Sequence, residues 1–354
     1  VERLVVLNSF PYFPKRALLR SIQDAFGNRI RLEYKAARVT GLIDSAGRHA
    51  RIEWRADRIR TISVEGGGAT LYDYDAKGRL SAVGDAAGSV DTYEYDEWNR
   101  MVATTTKSGV RFTYEYDDLG RCALTSGPNG LFYTAIQYDV ENRRTTVNGT
   151  EPRVIKWNDL GLAERESLPD GTLLEEVGYD DHGLLIAKVD GTSEGYRYWY
   201  DERGNLVEVV DPHGLRRRFE YEDDRVVREI AADGRVTSYA YAEGGVLARV
   251  GYPTGEVYSF EHDSRGHLTH IHGPKGPVAR YEYDSAHNLV AETDARGARS
   301  TYTYDALGRA TSRIDALGRT TRVRYDAMGR RISLELPDGT SRRFEYDAAG
   351  RLAG

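Results

Sequence analysis

The chain has 354 residues, of which 40% are hydrophobic, and it contains 37 Gly, 25 Tyr, 10 Pro, one Cys and a formal net charge of −6. The apolar supply is thin for a large solid core, yet there is too little Pro and too much Tyr for a disordered linker. No apolar run approaches the length of a membrane-spanning helix, a lone Cys excludes a disulfide scaffold or multi-Cys zinc site, and the acidic balance offers no general pull toward nucleic acid.

In chain order, the sequence opens VERLVVLNSF, without Met and without a signal-peptide pattern. Residues 1–33 read as an entry segment or a degenerate first repeat. Phe13 lies 21 residues before Tyr34, between Pro11 and Pro14. From Tyr34 onward an aromatic anchor recurs at positions 34, 54, 74, 95, 116, 138, 157, 179, 200, 221, 241, 262, 283, 304, 325 and 346. Nine of the fifteen gaps are 21 residues long, so residues 34–354 are expected to form one array of about sixteen repeats. Trp54, Trp157 and His262 replace Tyr in this slot. The residues that define the repeat are Tyr74-Asp75, Tyr95-Asp96, Tyr116-Asp117 with Gly120, Tyr200-Asp201 with Gly204 and Tyr283-Asp284. They continue with Tyr304-Asp305, Gly308 and Arg309, then Tyr325-Asp326, Gly329 and Arg330, and finally Tyr346-Asp347 and Gly350. The pattern is still running at the last residue, so the chain is expected to be a piece of a larger protein.

A second Asp-x-x-Gly turn falls halfway through each repeat, as at Asp85–Gly88, Asp294–Gly297 and Asp315–Gly318. Asp at the first position and Gly at the fourth suit a type I turn, and a left-handed Gly adds the bulge that returns the chain as an antiparallel strand. Between turns the sequence alternates, as in Thr301-Tyr302-Thr303-Tyr304, which is a strand pattern. Almost no helix is expected. The repeats at Tyr34, Trp54 and Tyr221 each lack one turn residue and the Gly, which predicts a shorter hairpin loop with the strand register kept.

The expected fold class is therefore all-β: tandem antiparallel hairpins forming a long coiled β-strip. At about 4.8 Å per strand, sixteen hairpins would run on the order of 150 Å, and strand twist forces so long a strip to coil. The Tyr and Leu positions then need an inner or inter-turn environment, while Arg, Thr and Glu face water. Tyr suits this half-buried setting because its ring packs while its hydroxyl stays wet. The chain has 42 Arg against 7 Lys. Either Arg stacks on neighbouring Tyr rings and pairs with turn Asp residues, or a GC-rich genome favours its codons.

Tyr-Asp-x-x-Gly-Arg recurring in register over residues 34–354 resembles the YD-repeat, or RHS-repeat, family. The resemblance implies a β-strip that spirals into a hollow shell. In bacterial polymorphic toxins and Tc toxin complexes such a shell encloses a C-terminal toxic domain, and animal teneurins use a similar one for adhesion. By that resemblance the function is encapsulation of a toxic cargo until delivery, by a bacterial secreted or cell-surface protein. Its partners would be the rest of its own shell, the enclosed toxin domain and a secretion-system or translocation subunit. The alternative is an adhesion or glycan-binding protein using exposed Tyr as stacking platforms. The lone Cys disfavours the teneurin branch. Family toxin shells end in an Asp-Pro-x-Gly core where the chain cleaves itself. Asp211-Pro212-His213-Gly214 resembles that motif but sits at a mid-repeat position, so it reads as an ordinary turn.

No catalytic constellation, phosphate loop or cofactor motif is present, so no enzyme activity and no cofactor are expected. Gly66-Gly67-Gly68 precedes a strand and reads as a flexible turn. A metal site would start from His270 and His272, two apart on one strand and so on one face. His262, His267 and His287 are nearby but read as substitutions in anchor and turn-flank slots.

Overall fold

The computed structural model describes residues 18–192, 194–347 and 349–353. Phe13 and the two prolines beside it lie outside the described residues. Thirty-two strands, from Ser21–Gln23 to Ser341–Arg343, form one sheet. Each strand pairs antiparallel with the one before and the one after, so the sheet is a single meander. The helical residues among those described are two three-residue 3-10 turns, Pro128–Gly130 and Glu243–Gly245. No helix among them is long and apolar enough to cross a membrane.

The Tyr-Asp turns have the conformation that the residue types require. In the turn after Tyr74, the Gly78 N–H donates to the Asp75 carbonyl and the Asp75 N–H to the Arg79 carbonyl, both at 2.9 Å. Gly78 has φ +78, the left-handed region that a side chain resists. The pairing slips by one residue between Asp73 and Tyr74, and the same bulge recurs before Tyr95, Tyr200 and Tyr304. The short repeats close through two-residue loops. Lys35 pairs directly with Arg38, and Ala36 and Ala37 both have positive φ, 49 and 65. Asp223 and Asp224 do the same at φ 49 and 60. Loops with both central residues left-handed match the strand twist, which explains why the Gly could be lost without losing register.

The strip coils until it meets itself. Asn28 Nδ2 donates to the Arg265 carbonyl at 3.1 Å, a contact across 237 residues. Dividing that separation by the 21-residue repeat gives about eleven hairpins per turn of the spiral, hence a circumference of roughly 110 Å and a diameter of roughly 35 Å. The contact is made edge to edge. The mid-repeat turn Asp24–Asn28 meets the Tyr-Asp edge of the later repeats, and the next two mid-repeat turns follow in step. Arg48 lies beside Gly308, and Gly67 and Gly68 lie beside Leu307 and Met328.

A wound single layer has little to bury. The apolar side chains counted as buried among the described residues are Ala103, Val250 and Ala291. The chain exposes 23882 Å², against roughly 14,000 Å² for a compact monomer of its length. Stability therefore rests on the strand ladder and on half-buried aromatic and aliphatic residues. Strands such as Val90–Tyr95 and Arg111–Tyr116 alternate exposed and half-buried positions along their length, with the tyrosines half-buried. The other face carries ion pairs such as Arg299 with Glu282, at 2.6 Å.

Candidate functional site

The feature that recurs around the wall is the Tyr-Asp turn, and its three named side chains act together. Asp305 Oδ1 accepts the backbone N–H groups of Leu307 at 2.9 Å and Arg309 at 3.0 Å, while Oδ2 accepts Arg309 Nε at 2.6 Å. The same double acceptance by Oδ1 is made by Asp75, Asp96, Asp117, Asp201, Asp284, Asp326 and Asp347. Gly120, Gly204, Gly308, Gly329 and Gly350 close these turns at φ 78, 86, 77, 82 and 78.

Arg then links one turn to the next. The guanidinium of Arg79 lies 4.9 Å from the ring centre of Tyr95, and its Nη1 donates to the Asp96 carbonyl at 2.7 Å. Arg309 lies over Tyr325 at 4.9 Å and Arg330 over Tyr346 at 4.7 Å. In the short repeats Arg38, Arg58 and Arg225 still reach Trp54, Tyr74 and Tyr241, at 5.6, 5.3 and 5.8 Å. Among the two readings of the Arg excess, stacking and Asp pairing is what these residues do.

The tyrosine hydroxyls also make bonds that the sequence did not show. Tyr95 OH donates to the Leu80 carbonyl at 2.8 Å, Tyr116 OH to Met101 at 2.6 Å and Tyr304 OH to Leu289 at 2.6 Å. Tyr74, Tyr200, Tyr325 and Tyr346 make the equivalent bond fifteen residues back. Each carbonyl belongs to a residue at the start of the strand after the previous Tyr-Asp turn; Leu80, for example, pairs with Tyr74 on one side but lies beyond the last residue paired with the following strand, Ala82. Trp54 does the same through Nε1 to Val39, at 2.7 Å. These anchors thus fasten their hairpins to the preceding ones.

These turns give a pH dependence. The Arg79 backbone N–H holds the Asp75 carboxyl below the ordinary carboxylate range, against partial desolvation and with help from the Arg79 guanidinium. The Arg351 backbone N–H lowers Asp347 in the same way. A carboxyl lowered in the folded state contributes stability that is fully present above the unfolded value, about 3.9, and is lost as pH falls through the lower folded value. We expect the strip to hold its strand content at neutral pH and to lose it on acidification below about pH 4. Circular dichroism along an acid titration checks this; an unchanged spectrum down to about pH 2 would contradict it.

The histidines do not gather into one centre. His270 and His272 stack at 5.9 Å and share one carboxylate, Glu261, at 3.2 and 3.3 Å. Among the described residues no group of three or more His, Cys, Asp or Glu side chains is arranged to hold a metal ion. His267 stands in the Arg slot. It bonds Asp263 at 2.8 Å, stacks on Tyr283 at 4.5 Å and reaches His287 at 2.8 Å. Asp211-Pro212-His213-Gly214 forms the same turn as its neighbours, with Gly214 N–H donating to Asp211 at 3.0 Å.

What sequence reasoning missed is the seam. Phe26 packs so closely on Gly244 and Gly266 that a Cβ on either glycine would lie 2.6 and 2.7 Å from its ring. The available signal was an apolar residue at the tip of an otherwise polar turn: Leu307 and Met328 on the Tyr-Asp edge, Phe26 on the other.

The family models agree with this geometry. The Teneurin YD-shell model matches residues 214–353, and the RHS Repeat model matches residues 74–111 and 179–216. The chain is a YD/RHS-repeat protein. No curated protein matches it in sequence. The crystal structures of TcdB2-TccC3 and of TcdB2-TccC3-TEV resemble this YD/RHS strip over 93% of its length, with TM-scores of 0.68 and 0.67 and 14% identity. TcdB2-TccC3 without its hypervariable C-terminal region gives a TM-score of 0.68 at 13% identity. At such identity the likeness establishes the fold. The YD/RHS chain spans 23% of the length of each of those chains.

Proposed function

We propose that this YD/RHS strip is a section of the wall of an encapsulating shell, belonging to a bacterial toxin or effector exported by a dedicated system. The observation that carries the reading is the seam. A one-layer sheet that returns onto its own edge after about eleven hairpins is built to separate an inside from an outside. Its work is structural rather than catalytic. The recurrent side chains are spent on tying turn to turn, and their hydroxyls, carboxylates and guanidiniums are engaged in doing so. The cargo would be a toxic domain of the complete protein, and the other partners the remainder of the shell and a delivery subunit. The likeness to TcdB2-TccC3 supports this reading at the level of the fold.

Electron microscopy of the complete gene product, combined with limited proteolysis, tests it. The expected result is a hollow particle with internal density and a C-terminal domain that resists protease while the wall is intact. An empty particle with a freely digested C-terminal domain would sink the proposal.

A further inference from the structure

Two histidines meet beside the seam, in slots that most other turns fill differently. His267 stands where Arg79 and Arg309 stand in their Tyr-Asp turns, and His287 stands where the next turn would carry Gly. His287 keeps the left-handed conformation of that slot, φ 68, which histidine enters more readily than most side chains. The two rings are half-buried, with His267 Nε2 2.8 Å from His287 Nδ1. Arg79 and Asn99 make the same contact between the same two slots, Arg79 Nη1 donating to Asn99 Oδ1 at 3.2 Å. Neither of those groups changes charge near neutral pH, whereas histidine does.

Asp263 fixes where the protons lie. Its carboxylate only accepts, so His267 Nδ1, 2.8 Å from Asp263 Oδ2, carries a hydrogen. While His267 is neutral its Nε2 is bare and accepts from the Nδ1–H of His287. One added proton is accommodated: His267 Nε2–H then donates, and His287 keeps its hydrogen on Nε2. A second proton puts N–H groups on both sides of the 2.8 Å gap, and the rings must part. The closed pair therefore binds one proton fewer than the open pair, and acid favours opening. The surroundings do not offset a second cation. The Tyr283 ring stacked on His267 at 4.5 Å is neutral, and Asp284 accepts from Ala286 and Asn288 in its own turn. Across the seam, Asp24, Arg29, Asp44 and Arg48 line a cavity of about 370 Å³ with His287. Asp44 pairs with Arg48 at 2.6 Å, and Asp24 accepts the N–H groups of Phe26 and Asn28.

We propose that His267 and His287 form an acid-released latch on the seam. The turn that carries His267 also holds the first mid-repeat turn: the Arg265 carbonyl accepts Asn28 Nδ2 at 3.1 Å, and Gly266 seats Phe26. The same turn is tied to that of His287 by Arg265 Nη1, which donates to the Ser285 carbonyl at 2.9 Å. Parting the two rings pulls these turns apart and frees Asn28 and Phe26. The strand ladder does not depend on the pair, so the hairpins stay formed while the seam opens. The latch rests on the seam contacts and not on what the wall encloses, so its failure would leave the encapsulation reading standing.

Hydrogen exchange between about pH 8 and pH 5, the range over which histidine titrates, tests this once corrected for the intrinsic effect of pH on exchange. Protection should fall in the strands Ser21–Gln23 and Arg29–Lys35, by up to about tenfold per pH unit for a one-proton difference, and should hold in Val90–Tyr95. Circular dichroism should show unchanged strand content over the same range. His267→Arg with His287→Asn installs the Arg79–Asn99 pair and should keep the first strands protected throughout. His287→Asn alone removes one of the two titrating rings and should also flatten the dependence. First strands whose protection does not change with pH in the parent, or falls equally in the double variant, overturn the proposal.

Discussion

Substituting Gly266→Val is expected to open the wound wall along its seam. Gly266 has φ +84, where a β-branched residue is strained by about 1–2 kcal/mol. Its new Cβ would also lie 2.7 Å from the Phe26 ring, a separation that forces Phe26 aside, and overpacking of this kind costs about 1–3 kcal/mol. Together the change costs roughly 3–4 kcal/mol, concentrated where the first mid-repeat turns meet the later repeats. Each hairpin is held mainly by its neighbours, so the damage should stay local, as in other quasi-one-dimensional repeat folds. Hydrogen exchange should show lost protection in the strands Ser21–Gln23 and Arg29–Lys35, with the middle of the strip unchanged. Gly214→Val is the control. That turn has φ +80 and nothing within reach of a Cβ, so it carries the backbone strain without the collision. Phe26→Ala added to Gly266→Val should recover the difference. Equal losses for Gly266→Val and Gly214→Val would show that the seam contributes nothing.

Asp305→Ala should cost about 2–3 kcal/mol, because it leaves the half-buried N–H groups of Leu307 and Arg309 without their acceptor and releases the Arg309 guanidinium. Losing that guanidinium's anchor also loosens its place over the Tyr325 ring. Asp305→Asn keeps the side-chain carbonyl that accepts both N–H groups and gives up the charge, so it should cost about a third as much. Chemical denaturation of the two variants, with hydrogen exchange at Leu307 and Arg309, separates the contributions. If the two substitutions destabilise equally, the charge pair and not the turn acceptance holds the hairpin.

The hairpin itself was legible because its determinants are local. Asp75, Gly78 and Arg79 lie within five positions of one another, and the turn chemistry of Asp and Gly acts over that distance. The missing residue in the Tyr34, Trp54 and Tyr221 repeats was placed correctly for the same reason: register is a property of two adjacent strands and the loop between them. The partner of the tyrosine hydroxyl was not legible. Tyr95 and Leu80 are fifteen residues apart, and no pattern in either strand shows which carbonyl the ladder leaves unpaired. That follows from where the pairing of neighbouring hairpins ends, which is a property of the assembled sheet.

The histidines mark the same boundary. Placing His267 in a turn-flank slot needed only the count from Asp263, four positions, which the structure shows to be the Arg position. Its contact with His287 arises because consecutive Tyr-Asp turns lie side by side on one edge. The repeat period implies that neighbourhood but not the distance.

By itself the sequence determined an all-β meander of hairpins and the position of every Tyr-Asp turn, because each depends on backbone conformations and contacts spanning a few residues; the partnership of Asp with Arg inside the turn it left open. The tertiary structure alone decided where the strip returns to itself, and therefore which glycines face Phe26, Leu307 and Met328 and which turn tips stand uncovered. The reason is geometric: small twists add up over some eleven hairpins before the edges meet, so the register of the seam depends on the sum of every strand's twist and on no single residue.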